Sequence, residues 1–382
     1  MELNDLTKKL RFRKYFYTIP MDKERWQLRT GGQISMLSGR SVADLIPLIL
    51  PLLDGNHTIK EIIFSLSDRV DQKVVLQVLD ILNKKRFLED ASEERSFEIF
   101  DEGLKRYVQQ ILLFSHTCDD KYERQDDLKR ARILIIGLGQ IGTEVLCSLA
   151  SSGIGKITGV DSGVIKEKDK NTNPFYTKED IGKPKCETAR TTIQKLNPYI
   201  SLKGIKKEIK SAKDVKDLIP EGCNLVIVCM DRPAVSIYDW VNEACLEKSI
   251  PWMRGSLDEQ IGVIGPLIIP YQTACYECYK LRRESNLALH TEEIAFENYL
   301  KRNPDNKVEY GTVIPFVKIV ANFIALEVLK FLSQFDFPVT CGSILQINLY
   351  GLEYTISKIL KLPRCPACGK CRRMPAEEIW NL

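Results

Sequence analysis

Twelve cysteines and only three histidines (His57, His116 and His290) set the chemical repertoire of this 382-residue chain. Four of the cysteines form two Cys-x-x-Cys knuckles, Cys275-Tyr276-Glu277-Cys278 and Cys365-Pro366-Ala367-Cys368, the second followed by Gly369, as a tight thiolate turn prefers. Four thiolates complete a tetrahedral zinc site with no open position, so such a site is structural and does no chemistry. It should pin the C-terminal tail to the main domain. Cys371 lies nearby as a spare thiol. Reduced cysteines at paired spacing fit a cytosolic protein, and with so few histidines any metal site must be mostly thiolate.

A second constellation points to a nucleotide. Arg132-Ile133-Leu134-Ile135-Ile136 reads as a buried strand, followed by Gly137-Leu138-Gly139-Gln140-Ile141-Gly142 and a helix from Thr143. This is G-x-G-x-x-G between strand and helix. Glycines let the backbone approach a phosphate, and the helix N-terminus supplies N–H donors and a positive dipole end. A second strand, Lys156 to Asp161, ends in an acid at the spacing that suits a ribose hydroxyl. Gly182-Lys183-Pro184-Lys185 opens a later helix, and Leu225 to Asp231 is a strand ending in an acid. Lys185 could neutralise phosphate charge and Asp231 could hold Mg²⁺. The glycine loop alone does not say which nucleotide is bound.

These residues need a scaffold. From Ala131 onward strands alternate with helices, the pattern of a mainly parallel sheet. Residues 129–382 are therefore expected to be one Rossmann-like α/β domain, joined by a helical connector (93–128) to an N-terminal module (1–92). In that module, Arg11 to Pro20 and Arg25 to Leu37 have strand character, with Gly31-Gly32 as a turn. Ser41 is a plausible N-cap for a helix to Leu53, which Asp54-Gly55-Asn56 breaks. Thr58 with Glu61 fits a capping box. A third helix from about Asp71 to Arg86 puts Val75, Leu79 and Leu82 on one face. Strands followed by three short helices outline a winged helix.

Composition excludes several classes. The apolar fraction is 44% and the net charge +4, from 55 basic against 51 acidic residues. That balance argues against nucleic acid or a membrane surface as partner. The start is polar, without a secretory signal. The most apolar helix, Thr312 to Leu332, carries Lys318, Glu327 and Lys330 and reads as a core helix. The expected location is the cytoplasm.

Taken together, the glycine loop, Gly153-Ile154-Gly155, Asp161, Gly182 with Lys185, Asp231, Ile264-Gly265-Pro266-Leu267 and the two knuckles resemble the ThiF family of adenylating enzymes, which includes the ubiquitin-activating enzymes. Thr273 to Tyr279 looks especially MccB-like, as in the microcin-modifying branch. In this family ATP·Mg²⁺ adenylates the C-terminal carboxylate of a peptide or small protein. The resemblance implies that Gly137, Gly139, Gly142 and Asp161 hold the nucleotide, Lys185 its phosphates and Asp231 the Mg²⁺. Two triphosphate-contacting arginines of the family stand here as Thr172 and Gln109, and Asp169 falls where an asparagine is usual. Neither Thr nor Gln can spread transition-state charge bidentately, so adenylation is expected to be weakened. The segment from Tyr279 to Tyr310, where thioester-forming relatives place a nucleophile, holds no cysteine. Cys186 reads as a helix-face thiol.

The N-terminal module carries its own resemblance. Leu28-Arg29-Thr30-Gly31-Gly32 and Leu48 to Thr58 are similar to the leader-recognition domain of ThiF-like partners of YcaO cyclodehydratases in thiazole/oxazole peptide biosynthesis. Such domains take a leader as an added strand. The strand Gln33-Ile34-Ser35-Met36-Leu37, with Leu76, Leu79 and Lys84 on a facing helix, is the expected groove. Three functions follow. One is a bacteriocin-type scaffold that binds a precursor leader and presents it to a YcaO enzyme. The others are an MccB-like peptide adenylyltransferase and a sulfur-carrier activator, which would leave the N-terminal module unexplained. A homodimer is expected.

Overall fold

The computed structural model describes residues 3, 5–13, 15–30, 32, 34–91, 102–118, 120–230, 236–303 and 311–369. Gly31, Gln33, Asp231, Cys371 and the expected boundary at residue 92 lie outside the described residues. The chain divides into two compact units, Met1–Lys121 and Tyr122–Leu382.

The first unit contains β1 (Lys9–Phe12), β2 (Tyr17–Pro20), β3 (Arg25–Arg29), β4 (Ile34–Ser38), α1 (Arg40–Ile49), β5 (Asp54–Thr58), α2 (Ile59–Leu66), α3 (Gln72–Lys84), β6 (Leu88–Asp90), α4 (Glu102–Lys105) and α5 (Val108–Phe114). Strands β5, β1 and β6 form one small sheet, and β2, β3 and β4 another. The stretch of strand character from Arg11 to Pro20 is thus divided between two sheets. Arg13 follows β1 and turns inward. It is buried, its Nε donates to the Leu88 carbonyl at 2.9 Å, and its guanidinium also binds the Ser115 carbonyl.

The expected N-cap Ser41 lies inside α1, because the cap is Gly39 at φ 118°, a left-handed conformation that serine resists. Asp54-Gly55-Asn56 does end the helical run, after a short 3₁₀ turn, but as the start of β5 pairing with β1. The Thr58 and Glu61 capping box is present in both directions, with Thr58 N–H donating to Glu61 at 2.8 Å. Asp71 caps α3, whose Val75, Leu79 and Leu82 are all buried. They pack with Leu10, Leu28, Leu37, Ile46, Ile49, Ile62 and Phe87 into a core belonging to this unit.

The second unit follows α6 (Lys121–Arg130) with β7 (Arg132–Ile136), α7 (Gln140–Ser151), β8 (Lys156–Val160), α8 (Glu167–Thr172), α9 (Lys185–Leu196), β9 (Ser201–Ile205), α10 (Ala212–Leu218), β10 (Leu225–Val228), α11 (Ser236–Lys248), β11 (Trp252–Asp258) and β12 (Ile261–Ile268). Then come α12 (Tyr276–Ser285), α13 (His290–Arg302), α14 (Ile314–Ser333), β13 (Ser343–Asn348) and β14 (Glu353–Lys358). One sheet of eight strands runs β14-β13-β12-β11-β10-β7-β8-β9. Strands β11, β10, β7, β8 and β9 are parallel, while β12, β13 and β14 extend the sheet antiparallel. The central parallel strands β7, β8 and β10 are buried along nearly their whole length, as strands inside a mainly parallel sheet are. The expected core helix is α14. Among the described residues no helix is long and apolar enough to cross a membrane.

Candidate functional site

The two knuckles converge. Cys275, Cys278, Cys365 and Cys368 are buried, and their sulfurs all lie within 4.8 Å of one another. Three separations are 3.8 Å (Cys275 to Cys278), 3.6 Å (Cys275 to Cys365) and 3.5 Å (Cys278 to Cys368). Zinc–sulfur bonds of about 2.3 Å in a tetrahedron put sulfurs about 3.8 Å apart. The four sulfurs therefore fit a tetrahedral zinc ion. Cys275 is the N-cap of α12, and the Leu362 backbone N–H points at Cys278 Sγ at 3.4 Å. The hydrogen bond from Cys275 holds the Cys278 thiol well below its ordinary value. Ile359 and Leu362 pack against the same core, so the second knuckle ties the described end of the chain to α12.

The glycine loop joins β7 to α7, and each glycine has its own reason. Gly137 adopts φ 95°, and a Cβ there would meet the Cys229 carbonyl at 2.7 Å. A Cβ on Gly142 would sit 1.9 Å from the Gly137 carbonyl, which lets the helix start close against the strand. Gly139, the N-cap of α7, faces open space. That opening and the N–H groups behind it are where a phosphate could approach.

Around the loop the structure assigns duties that differ from the expected ones. Asp161 uses both carboxylate oxygens on backbone, accepting from Leu138 N–H at 2.8 Å and Gly163 N–H at 2.7 Å. It braces the loop at the edge where a ribose acid was expected. Lys185 opens α9 and lies beside Gly163, but its Nζ binds Asp169 Oδ1 at 3.0 Å, both side chains largely enclosed. The phosphate lysine thus already has an anion. Thr172 turns its hydroxyl back to the Lys168 carbonyl at 2.8 Å. Gln109 is exposed on α5 in the first unit. Cys186 is buried, and burial raises its thiol, which fits a packing role.

Sequence reasoning missed two loop supports. Buried Tyr176 donates to the Leu138 carbonyl at 2.8 Å, and buried Asn173 donates to Thr143 Oγ1 at 2.8 Å. Both come from one segment after α8. A polar–aromatic run there, in an otherwise charged stretch, was the available signal.

In the first unit, β4 is an edge strand, paired among the described residues only with β3. Ile34 and Met36 are 56% and 42% exposed, whereas Leu37 is buried and Ser35 half-buried. The exposed face continues across the sheet to Tyr17 and Ile19, through the register Ile34↔Arg29↔Tyr17 and Met36↔Gln27↔Ile19. Gly39 N–H donates to Glu24 O just beyond the ladder. By antiparallel alternation the backbone groups of Ser35 and Leu37 then face β3, and those of Ile34 and Met36 face the free edge. On α3, Leu76 is half-buried and Lys84 exposed, but Leu79 is fully buried. Leu79 is core, since Val75, Val78 and Leu82 close around the same face, and cannot line an open groove.

Residues 107–369 match the ThiF family. The molybdopterin-synthase adenylyltransferase of Salmonella typhimurium is 25% identical over 273 residues, covering 72% of this chain and 99% of that enzyme. The sulfur carrier protein ThiS adenylyltransferase of Escherichia coli is 26% identical over 278 residues, covering 70% of this chain and 96% of its own length. Among solved structures, E. coli MccB with AMPCPP and MccA superposes at TM-score 0.76 and 23% identity, over 94% of this chain and 99% of that one. At that identity the likeness is one of fold, and it extends through the N-terminal unit. With the glycine loop, the mainly parallel sheet and the buried four-cysteine cluster in place, the chain belongs to the ThiF family.

Proposed function

We propose that this protein captures the leader of a ribosomally made peptide in its N-terminal unit, a winged-helix-like recognition domain, and presents it to a YcaO cyclodehydratase. The observation that carries this reading is the free edge of β4, with Ile34 and Met36 exposed beside open backbone groups. An extended peptide adds to such an edge by main-chain pairing, and neighbouring side chains select its sequence. The E. coli MccB structures, similar along nearly the whole chain, hold MccA. In this reading the ThiF unit is a scaffold, stabilised by structural zinc at Cys275, Cys278, Cys365 and Cys368, and assembled as a homodimer. The Lys185–Asp169 pair supports the weakness of its adenylation chemistry.

One observation favours the second reading, an MccB-like peptide adenylyltransferase using ATP and Mg²⁺: Gly139 stays open in an intact glycine loop. Two measurements on the purified full chain separate them. Titration with a labelled cognate leader should give micromolar or tighter binding, about −8 kcal/mol or better. Peptide-dependent exchange of pyrophosphate with ATP should be weak or absent. Strong exchange that disappears in Asp231→Ala would replace the scaffold reading with adenylation.

A further inference from the structure

Among the described residues, Arg254 is a cation without an anion. It lies on β11, and its guanidinium sits over the Tyr238 ring at 4.6 Å, with the Tyr279 and Tyr276 rings at 5.8 and 5.9 Å. Aromatic faces stabilise a guanidinium from above and below but leave its in-plane N–H groups unused. Among the described residues none of those groups has a hydrogen-bond or ion-pair partner, and Nε is sealed from solvent. The nearby arginine on α12, Arg283, is by contrast fully engaged with Glu293 and Glu297. The residue as a whole keeps partial solvent access.

Its place in the sheet says what could reach it. Arg254 pairs in register with Val228, the last residue of β10, and Val228 pairs with Ile136, the last residue of β7. Gly137 and the glycine loop begin one residue later. Arg254 is thus two strands from that loop, about 10 Å at roughly 4.8 Å per strand. It lies at the carboxyl edge, where open α/β sheets bind ligands. The arginines absent at Thr172 and Gln109 would have supplied bidentate oxyanion contacts.

The geometry points to Arg254 as an oxyanion receptor in the crevice of the glycine loop, pre-set by its tyrosine cage to take a carboxylate or phosphate bidentately. The anion comes either from the C-terminal carboxylate of a peptide or from a nucleotide phosphate. This site is independent of leader capture at β4.

The test is calorimetry on the full-length protein, comparing wild type with Arg254→Met and Arg254→Lys. The probes are inorganic phosphate, ATP with Mg²⁺, N-acetyldiglycine and its C-terminal amide. At least one oxyanion should bind wild type saturably and lose about tenfold or more in affinity to both variants, because lysine keeps the charge but not the fork. Binding of acetyldiglycine but not its amide identifies a carboxylate terminus, and binding of phosphate and ATP alone identifies the nucleotide. Ligand-free Arg254→Met should melt close to wild type, since methionine keeps an apolar contact with the three tyrosine rings and leaves no carboxylate unpaired. A lower melting point or failure of that variant to fold makes Arg254 structural and overturns the proposal. So does equal binding by wild type and either variant, or no oxyanion binding to wild type. Leader binding, read in parallel, is expected to be unchanged in both variants, so failure here leaves the β4 reading standing.

Discussion

Asp169 places a carboxylate 3.0 Å from Lys185, so the lysine that would meet phosphate charge is already neutralised. Asp169→Asn should release it and raise affinity for ATP about fivefold, roughly 1 kcal/mol, the upper range for a partly enclosed pair. Calorimetric titration of both proteins checks this, and unchanged affinity would mean that Lys185 does not face the phosphates. The cysteine cluster makes a separate prediction. The purified protein should carry about one zinc per chain. Cys365→Ser should lose most of that metal, along with stability and solubility, because ligand removal takes the binding energy from the folded state. Elemental analysis beside a thermal melt decides it; a metal-free wild type and a neutral variant would remove zinc from the account.

At the level of elements, β4 offers a test that separates pairing from folding. Its Met36 backbone N–H faces the free edge, so Met36→Pro should weaken leader binding about tenfold while the melting temperature changes little. Ser35→Pro, one residue away, removes a hydrogen bond to β3 and should lower the melting temperature itself. Equal destabilisation by both prolines, with equal loss of leader, would show that the strand is read through its fold and not through its edge.

For the whole molecule, the first unit extends past the N-terminal module to Lys121. Buried Arg13 finds a carbonyl at Ser115, and Lys121 pairs with Glu89 at 2.8 Å. A fragment of residues 1–121 should therefore fold and bind the leader, whereas 1–92 should melt lower, having lost the Ser115 carbonyl that Arg13 binds and the Lys121 partner of Glu89. Circular dichroism melts with a leader titration distinguish the two. The outer strand β14 bears on the proposed homodimer. Tyr354 and Ile356, on one face, are 71% and 49% exposed, beside exposed Tyr350 and Leu352. Apolar side chains gathered at a sheet edge are what a subunit contact covers. Tyr354→Glu combined with Ile356→Glu should shift the sedimentation mass from dimer to monomer; a monomeric wild type would remove the dimer.

How much the sequence settled follows from how far apart the partners lie. The capping box at Thr58 and Glu61, the turn at Gly137 and the knuckle spacing at Cys275 and Cys278 are satisfied within a few residues, so the chain shows them directly. The strand–helix alternation likewise announced the parallel sheet. Other features depend on contacts between distant segments. Buried Arg13 reaches carbonyls at Leu88 and Ser115, Leu79 is closed into a core, and Asp169 meets Lys185 across two helices. Arg254 is caged by rings from α11 and α12. Periodicity tells which face of an element is apolar, but not whether a neighbour seals it, and composition tells which charges exist, but not which find partners. Local hydrogen-bonding chemistry therefore fixed the loop, the caps and the knuckles, while tertiary packing alone decided that the lysine is neutralised and that, among the described residues, the β4 edge is open and one arginine stands without an anion.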